Sequence, residues 1–241
     1  MNVKLISYTQ DAEDILLFTK ATRLSMTVEL LSEIKAWSPD KKAEGLAYMA
    51  NTIPSSWEFV DYTFAITGVS RAFTHQFVRN RHGSYAQQSM RVVSVEQGYE
   101  FAMPQRLSTT EREMVNAVNR MIAATYAKLI SSGVATEDAR AILPTNISTN
   151  IVAKFNLRTM SELAKSRTGG RTQSEYIAVM SAMANEVIKV HPWAEQFLFP
   201  KARDHFAEIE AFAEREYAGE LLKKGELLKI VDQMRKGAAK S

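Results

Sequence analysis

The spacing of apolar side chains along the chain predicts a set of helices with a few strands. Residues 3–8 alternate apolar and polar positions, and residues 58–67 are rich in β-branched and aromatic side chains, so both segments predict strands. Gly68 is predicted to end the second strand. Apolar positions at helical spacing predict helices over residues 11–25, 40–51, 69–78, 109–131, 136–143, 156–167, 172–190 and 202–235, the last with a break near Gly219 or Gly225.

This order of elements indicates an α+β fold, mostly helical, with a small central sheet and flanking helices. The chain has 241 residues, which is enough to bury a full core. No internal repeat, low-complexity tract or long linker divides it. We therefore expect a single domain over residues 1–241, in which residues 201–241 form a helical C-terminal extension.

Composition excludes several kinds of chemistry. The chain has no cysteine, which excludes disulfides, iron–sulfur clusters, thiolate metal sites and a cysteine nucleophile. Its four histidines lack the spacing of zinc ligands, so we expect no metal site. No apolar run approaches the ~20 residues of a membrane span, and the N-terminus lacks a signal-peptide pattern, so we expect a soluble, cytoplasmic protein. The net charge of +3 is too small to indicate nucleic-acid binding.

A polar segment over residues 79–91 carries the clearest chemical signal. It contains three arginines, two serines, two glutamines and one histidine, and it has no acidic residue. One interpretation is a solvated surface. The other is a nucleotide pocket, because guanidinium groups bind phosphate through paired hydrogen bonds and amides can pair with the edge of a base.

The arrangement of this segment resembles the signature of the flavin-dependent thymidylate synthases, the ThyX family. Arg79-x-Arg81-x-x-Ser84 is followed by Ser89 and Arg91, as in that signature. Further matches fall in the family's order over about residues 1–190, namely Thr63-Phe64, Ser70-Arg71, Gln76, Arg140-x-x-Leu143-Pro144, Asn156-x-Arg158, Arg167 and Gln173-x-Glu175.

The resemblance implies a ThyX-like fold, a homotetramer with sites shared between subunits, and specific roles for individual residues. It implies catalytic roles for Arg167 and Ser89. It implies a nucleotide site formed by Gln76, Arg79, Gln87, Gln88, Ser89, Arg91, Arg140 and Arg167. It implies an FAD site formed by Ser25, Ser55, Arg79, Asn80, Arg81, His82, Asn156, Arg158 and Glu162.

The implied reaction is methylation of dUMP at C5, with methylenetetrahydrofolate as carbon donor, NADPH as reductant and FAD as cofactor. The absence of cysteine excludes the other known route, in which a thiolate adds to C6 of the pyrimidine. The alternative substrate is another pyrimidine nucleotide, dCMP or UMP, and the alternative product carries a hydroxymethyl group. Two alternative interpretations place the chain outside the enzymes. It could be a nucleic-acid-binding module, or a flavin protein with a structural role.

Several positions depart from the family pattern, including Ile53 and Glu58-Phe59, where the family commonly carries His and Glu-His. Asn80 replaces a histidine, Gln87 replaces a carboxylate, and Glu162 stands where histidine or asparagine is usual. Glu162 is four residues from Arg158 on a predicted helix, so the two are expected to pair. Gln87 either faces the base or sugar and influences substrate choice, or caps a turn in solvent.

Overall fold

The structure, a computed structural model, describes residues 1–24, 26–90, 100–166, 172–199 and 205–238. Its strands are β1 (Asn2–Tyr8), β2 (Asp61–Ser70), β3 (Ser84–Gln87) and β4 (Ser148–Asn156). Its helices are α1 (Ala12–Ala21), α2 (Val28–Lys35), α3 (Pro39–Ala50), α4 (Arg71–Phe77), α5 (Thr109–Ser131), α6 (Thr136–Ala139), α7 (Leu157–Ser166), α8 (Ser174–Val190), α9 (Glu195–Leu198), α10 (His205–Glu216) and α11 (Leu221–Ala238). The predicted α+β class, mostly helical with a small sheet, is confirmed.

The chain divides into two compact units, Met1–Pro200 and Lys201–Ser241. The first contains the sheet and helices α1–α9. In the second, α10 and α11 are joined by ion pairs, with Lys224 Nζ 2.8 Å from Glu214 Oε2. The break predicted near Gly219 or Gly225 falls at residues 217–220. The expectation of one domain over residues 1–241 stays a prediction.

The sheet is antiparallel throughout and has the order β1-β2-β4-β3. In the β2–β4 pair, Ser70 lies opposite Ser148 and Asp61 lies opposite Asn156. The sheet therefore has a Ser148 end and an Asn156 end, roughly 25 Å apart at the usual rise of a strand. These two ends organise the candidate site described below.

The core lies against one face of this sheet. Alternate side chains of β2 and β4 point into it, including Tyr62, Phe64, Ile66 and Phe155, each 0% exposed. Helices α1, α4, α7 and α8 cover that face with buried apolar residues. The opposite face carries Thr67, Asn150, Val152 and Lys154, which are exposed. The alternation of buried and exposed side chains along β4 thus separates a packed face of the sheet from a solvent-exposed face.

The second predicted strand was displaced by three residues. Residues 58–59 belong to the 3-10 turn Pro54–Phe59, and β2 continues through Gly68 to Ser70. The prediction that Gly68 ends the strand is wrong because Gly68 forms an irregularity within it. The register with β4 shifts between Ile66 and Val69, and Gly68 takes a φ of +67°, which glycine adopts at little cost.

Four of these strands and helices were not predicted, namely α2, β3, β4 and α9. β4 has a clear alternation, since its buried and exposed positions change at every residue from Thr149 to Phe155. β3 has only four residues and lies inside the polar segment over residues 79–91, so its composition concealed it. By contrast, α5 begins at the capping box expected from its sequence, in which Ser108 and Glu111 bond each other's backbone N–H.

Neither a metal cluster nor a membrane span is found in the part of the chain that the structure describes. No group of three or more His, Asp or Glu side chains there could hold an ion. No described helix is both long enough and apolar enough to pass through a bilayer.

A buried histidine follows α8. His191 is 9% exposed, and its ring stacks on Trp193 with centroids 5.1 Å apart. Its Nδ1 lies 3.0 Å from the hydroxyl of Tyr62. Burial raises the pKa of Tyr62, so its hydroxyl stays protonated and shares a hydrogen bond with Nδ1. Burial also lowers the pKa of His191 below 6.5, because desolvation penalises the charged ring.

This depressed pKa predicts a loss of stability in mild acid. Above pH ~6.5 His191 is neutral in both the folded and the unfolded chain, so its contribution to the free energy of unfolding is constant. As the pH falls below that value, the unfolded chain binds a proton that folded His191 takes up only at lower pH, and the free energy of unfolding decreases. Urea unfolding at several pH values should therefore give a shallower pH dependence for His191→Gln than for the parent. Equal slopes would contradict the prediction.

Candidate active site

A cleft of about 500 Å³ opens at the Ser148 end of the sheet. The end of β2, the residues after β3 and the start of β4 surround it. Its lining includes the cation of Arg71 together with the polar side chains of Gln88, Ser89, Ser148, Thr149 and Asn150. A second, smaller cavity shares Gly68, Glu100 and Ser148 with it and extends towards Glu175.

Strand pairing positions the polar residues after β3. Gln87 lies opposite Ile151 in the β3–β4 pair, and Gln88 N–H donates to the Asn150 carbonyl at 2.9 Å. The side chains repeat this pairing, since Asn150 Nδ2 donates to Gln88 Oε1 at 2.7 Å. Ser89 follows directly and lies exposed in the cleft.

Arg71 is the main cation of the cleft. It is the first residue of α4, and its Nη2 donates to the Gln88 carbonyl at 2.9 Å. Its Nε is buried with no hydrogen-bond partner among the described residues. Burial and the nearby charge of Arg140 both lower the pKa of Arg71. Arg71 in the partly buried cleft, repelled by the nearby charge of Arg140, forms a site that a phosphate dianion would stabilise.

Gln87 turns towards the helices and not into a solvent-exposed turn. It is half-buried, and its Nε2 donates to the hydroxyls of Thr74 at 2.9 Å and Thr149 at 3.3 Å. The Thr74 hydroxyl itself donates to the Arg71 carbonyl at 3.2 Å, so it can only accept from Gln87. This fixes the orientation of the Gln87 amide. The interpretation of Gln87 as a turn cap in solvent is wrong.

Gln76 is joined to the cleft through a chain of hydrogen bonds. Its Nε2 donates to Gln173 Oε1 at 2.9 Å, and Gln173 Nε2 donates to Glu175 Oε2 at 3.2 Å. Glu175 in turn accepts from the backbone N–H of Ser70 at 2.8 Å. The start of α8 is thereby tied to the end of β2, next to Arg71.

Most residues expected at the flavin site lie at the other end of the sheet. Asn156 ends β4 and caps α7, since its Oδ1 accepts from Thr159 N–H at 2.8 Å. Arg158 bonds Glu58 at 2.6 Å and Glu162 at 3.1 Å, as its spacing from Glu162 predicts. Hydrogen bonds from Glu58 and then Glu162 raise the pKa of Arg158. Its charge is thus already compensated within the chain.

The loop between α4 and β3 lies at the same end, because β3 starts opposite Lys154. Asn80 Oδ1 accepts from His82 N–H at 3.1 Å, and the Tyr85 hydroxyl donates to the Asn80 carbonyl at 2.8 Å. Gly83 is required here, since a Cβ at this position would lie 2.4 Å from the Phe155 ring.

The cations of this loop face solvent. Arg79 and Arg81 are exposed and have no acidic partner among the described residues. His82 and Ser55 are exposed as well, the latter in the 3-10 turn Pro54–Phe59. Together these side chains could bind an anionic group at the Asn156 end.

The structure therefore divides the expected site residues into two groups. Gln76, Gln87, Gln88, Ser89 and Arg140 gather at or near the Ser148 end. The residues of the other group gather at the Asn156 end, and they are Ser55, Arg79, Asn80, Arg81, His82, Asn156, Arg158 and Glu162. Ser25, Arg91 and Arg167 lie outside the described residues.

Arg71 and Glu175 were missed as functional residues. Both appeared in the sequence only as parts of a family resemblance, in Ser70-Arg71 and Gln173-x-Glu175. A serine followed by an arginine between a strand and a helix is a helix-start signal, and it places a cation at the helix N-terminus, where few structural roles need one.

Comparison with known proteins identifies the family. Residues 4–193 match the model of the family described as thymidylate synthase complementing protein. The chain belongs to this family of flavin-dependent thymidylate synthases. It is 33% identical over 219 residues to the flavin-dependent thymidylate synthase of Sulfurisphaera tokodaii, covering 85% of this chain and 80% of the relative. It is also 33% identical over 196 residues to that of Geobacter sulfurreducens, covering 80% and 84% of the two chains.

The family match covers both groups of site residues. It ends at residue 193, so α10 and α11 lie beyond it. Three residues at which this chain departs from the family pattern are hydrogen-bonded within it. Asn80 bonds the following loop, Gln87 bonds two threonines, and Glu162 bonds Arg158. As a member of this family, the protein is an enzyme of the methyltransferase class.

Proposed function

We propose that the protein is a cytoplasmic enzyme that methylates dUMP at C5 to form dTMP, with FAD as cofactor, NADPH as reductant and methylenetetrahydrofolate as carbon donor. One observation carries the nucleotide assignment: Arg71 lines a cleft beside Gln88 and Ser89, and the charge of Arg140 lies near enough to lower its pKa. The relatives' names supply the reaction class.

The cleft has the chemistry that a nucleotide monophosphate requires. The two guanidinium groups provide donors and charge for the phosphate. The amide of Gln88 lines the cleft, where it can bind sugar or base, and the Gln87 amide beside it is turned onto Thr74 and Thr149. Ser89 has no role as a nucleophile in this proposal. We assign it to binding, together with Arg79, Arg91 and Arg167.

The Asn156 end fits an anionic cofactor in part. Exposed Arg79 and Arg81 can bind a pyrophosphate, and the Asn80 turn presents backbone groups beside them. Arg158 fits less directly, because Glu58 and Glu162 already compensate its charge. When bound, FAD would supply the redox chemistry that this cysteine-free chain lacks.

The chain's own residues then orient the nucleotide and stabilise charge. Making C5 nucleophilic places negative charge on the pyrimidine ring, and guanidinium groups held in a partly buried cleft stabilise that charge. Arg71 and Arg140 orient the nucleotide through its phosphate, since the start of α4 and the turn after α6 hold their backbones. Arg167 is proposed to stabilise the charge on the ring.

The separation of the two groups supports a shared site. The flavin group and the nucleotide group lie at opposite ends of one sheet, roughly 25 Å apart along β4. A flavin ring must touch the base that it helps to methylate. We therefore propose a homotetramer in which the nucleotide group of one subunit faces the flavin group of another.

A nucleic-acid-binding role is disfavoured by Tyr85. It is the one aromatic residue of segment 79–91. Its ring packs edge-on against Phe77 and Phe155, with centroids 5.6 Å away in each case, and its hydroxyl is bonded to the backbone of the preceding loop. It is not available to stack on a base, as single-strand binding would require.

The first test is spectroscopic and chemical. We expect the purified protein to carry flavin absorbance that NADPH bleaches without oxygen. Incubation with methylenetetrahydrofolate and each of dUMP, dCMP and UMP should give a mass increase of one methyl group on dUMP alone. Modification of dCMP or UMP, or a hydroxymethyl product, would support the alternative substrate. No modified nucleotide in any reaction would refute the enzyme proposal.

The second test concerns Gln87. A glutamate there cannot donate to Thr74 or Thr149, so its side chain must reorient, and it adds a negative charge next to Gln88, which lines the cleft. We expect Gln87→Glu to change the ratios of kcat/KM among dUMP, dCMP and UMP by about 10-fold. Thr149→Val is the matched control, because it removes one partner and keeps the amide. Ratios that move by less than about twofold would exclude Gln87 as a specificity determinant.

The third test asks whether sites are shared between subunits. Arg71→Ala should inactivate the nucleotide group, and Arg81→Ala should weaken the flavin group. In tetramers reassembled from an equal mixture, about a quarter of the sites would combine two intact groups, so activity should return. Mixed tetramers without activity would contradict shared sites. A monomer in light scattering would do the same.

A further inference from the structure

The carboxylate of Glu175, in the first turn of α8, joins three parts of the fold. Its Oε1 accepts the backbone N–H of Ser70 at 2.8 Å, and its Oε2 accepts the Ser70 hydroxyl at 2.5 Å. Oε2 also accepts Gln173 Nε2 at 3.2 Å. The end of β2, the start of α4 and the start of α8 therefore meet at one side chain, which we call the Glu175 junction.

The junction determines how α4 begins. The Ser70 hydroxyl caps α4 by accepting Phe73 N–H at 3.0 Å. A hydroxyl has one proton, and a carboxylate can only accept, so the proton points to Glu175 and a lone pair points to the helix. Arg71 is the next residue. The guanidinium of Arg71 therefore extends from a backbone that is held on one side by the Ser70–Glu175 hydrogen bonds and on the other by α4.

A second arm of the junction reaches Gln76. Gln173 donates to Glu175 through Nε2, which turns its Oε1 towards Gln76 Nε2 at 2.9 Å. The acceptor-only carboxylate thus sets the orientation of one amide, and that amide sets the next. Glu175 thus positions residues at both ends of α4: Arg71 through Ser70, and Gln76 through Gln173.

The negative charge of Glu175 argues against direct contact between this side chain and a phosphate. A carboxylate beside an anion repels it, and Glu175 lines the smaller cavity next to the cleft but is not among the described residues that line the cleft itself. Its contribution must therefore come through the residues that it holds.

We propose that Glu175 is a positioning residue for nucleotide binding, which acts through Ser70 on Arg71 and through Gln173 on Gln76. This inference rests on the proposed nucleotide cleft. It assigns the acidic residue of Gln173-x-Glu175 to the geometry of the binding groups and not to the chemical step.

The test is Glu175→Gln, which keeps size and removes one acceptor. One of the two Ser70 donors then faces an NH₂ group. We expect the Kd for dUMP, measured by calorimetry, to rise about 5- to 100-fold, as for a lost charge-assisted hydrogen bond. Flavin content per subunit should stay at the parental value. A parental Kd for dUMP would overturn the proposal.

Glu186→Gln is the matched control. Glu186 lies on the same helix, and its carboxylate also accepts a strand N–H, that of Leu5 at 3.2 Å. The chemical change is the same, but it lies away from the cleft, so the Kd for dUMP should stay within about twofold of the parent. An equal rise in both variants would mean a general loss of stability and would overturn the positioning role.

Two further variants separate this inference from the proposal beneath it. In Ser70→Ala/Glu175→Gln, the effects on Kd should not add, because one residue acts through the other; full additivity would contradict the junction. Arg71→Ala should weaken dUMP binding by itself. If it does and Glu175→Gln does not, the positioning role alone fails. If Arg71→Ala binds dUMP with the parental Kd, the nucleotide cleft fails, and the positioning role fails with it.

Discussion

The antiparallel pairing of β2 with β4 is the constraint on which the rest of the molecule depends. It sets Ser70 opposite Ser148 at one end and Asp61 opposite Asn156 at the other. Two helices that carry candidate functional residues start from these ends: α4 follows Ser70 directly, and α7 follows Asn156. A single register thus fixes where each group of binding residues lies.

The two ends differ in how their charges are balanced. At the Ser148 end, Arg71 and Arg140 approach each other, and burial and mutual repulsion lower the pKa of Arg71. At the Asn156 end, Arg158 is bonded to two carboxylates, which raise its pKa. Charge left uncompensated in a partly buried site costs stability unless a ligand supplies the opposite sign. The first end is therefore the stronger candidate for a phosphate, while Arg79 and Arg81 provide the free cations at the second.

Hydrogen-bond polarity gives this site its order. Hydroxyls and amides can donate or accept, so a network built from them alone has several arrangements of similar energy. Glu175 can only accept, and the Arg71 carbonyl beside Thr74 can only accept. These two fixed acceptors orient Ser70, Gln173 and, through Thr74, the Gln87 amide. The polar residues around α4 are thereby held in one arrangement before any ligand arrives.

The sequence by itself determined the fold class, most helices, the capping box of α5 and the Arg158–Glu162 pair. These follow from neighbours within a few residues, where periodicity and local hydrogen bonds decide the structure. It also pointed to segment 79–91 as a candidate site and, by resemblance, to the family. It did not reveal β3, a four-residue strand that exists only because β4 pairs with it.

Only the tertiary structure decided which binding residues meet. Gln76 and Gln173 are 97 residues apart in the chain, and Ser70 and Glu175 are 105 apart, yet each pair is hydrogen-bonded. The inward turn of Gln87, the compensated charge of Arg158 and the separation of the two groups likewise depend on strand register and helix packing. Those contacts join distant parts of the chain, and no local pattern records them, because their energy comes from the pairing of whole elements.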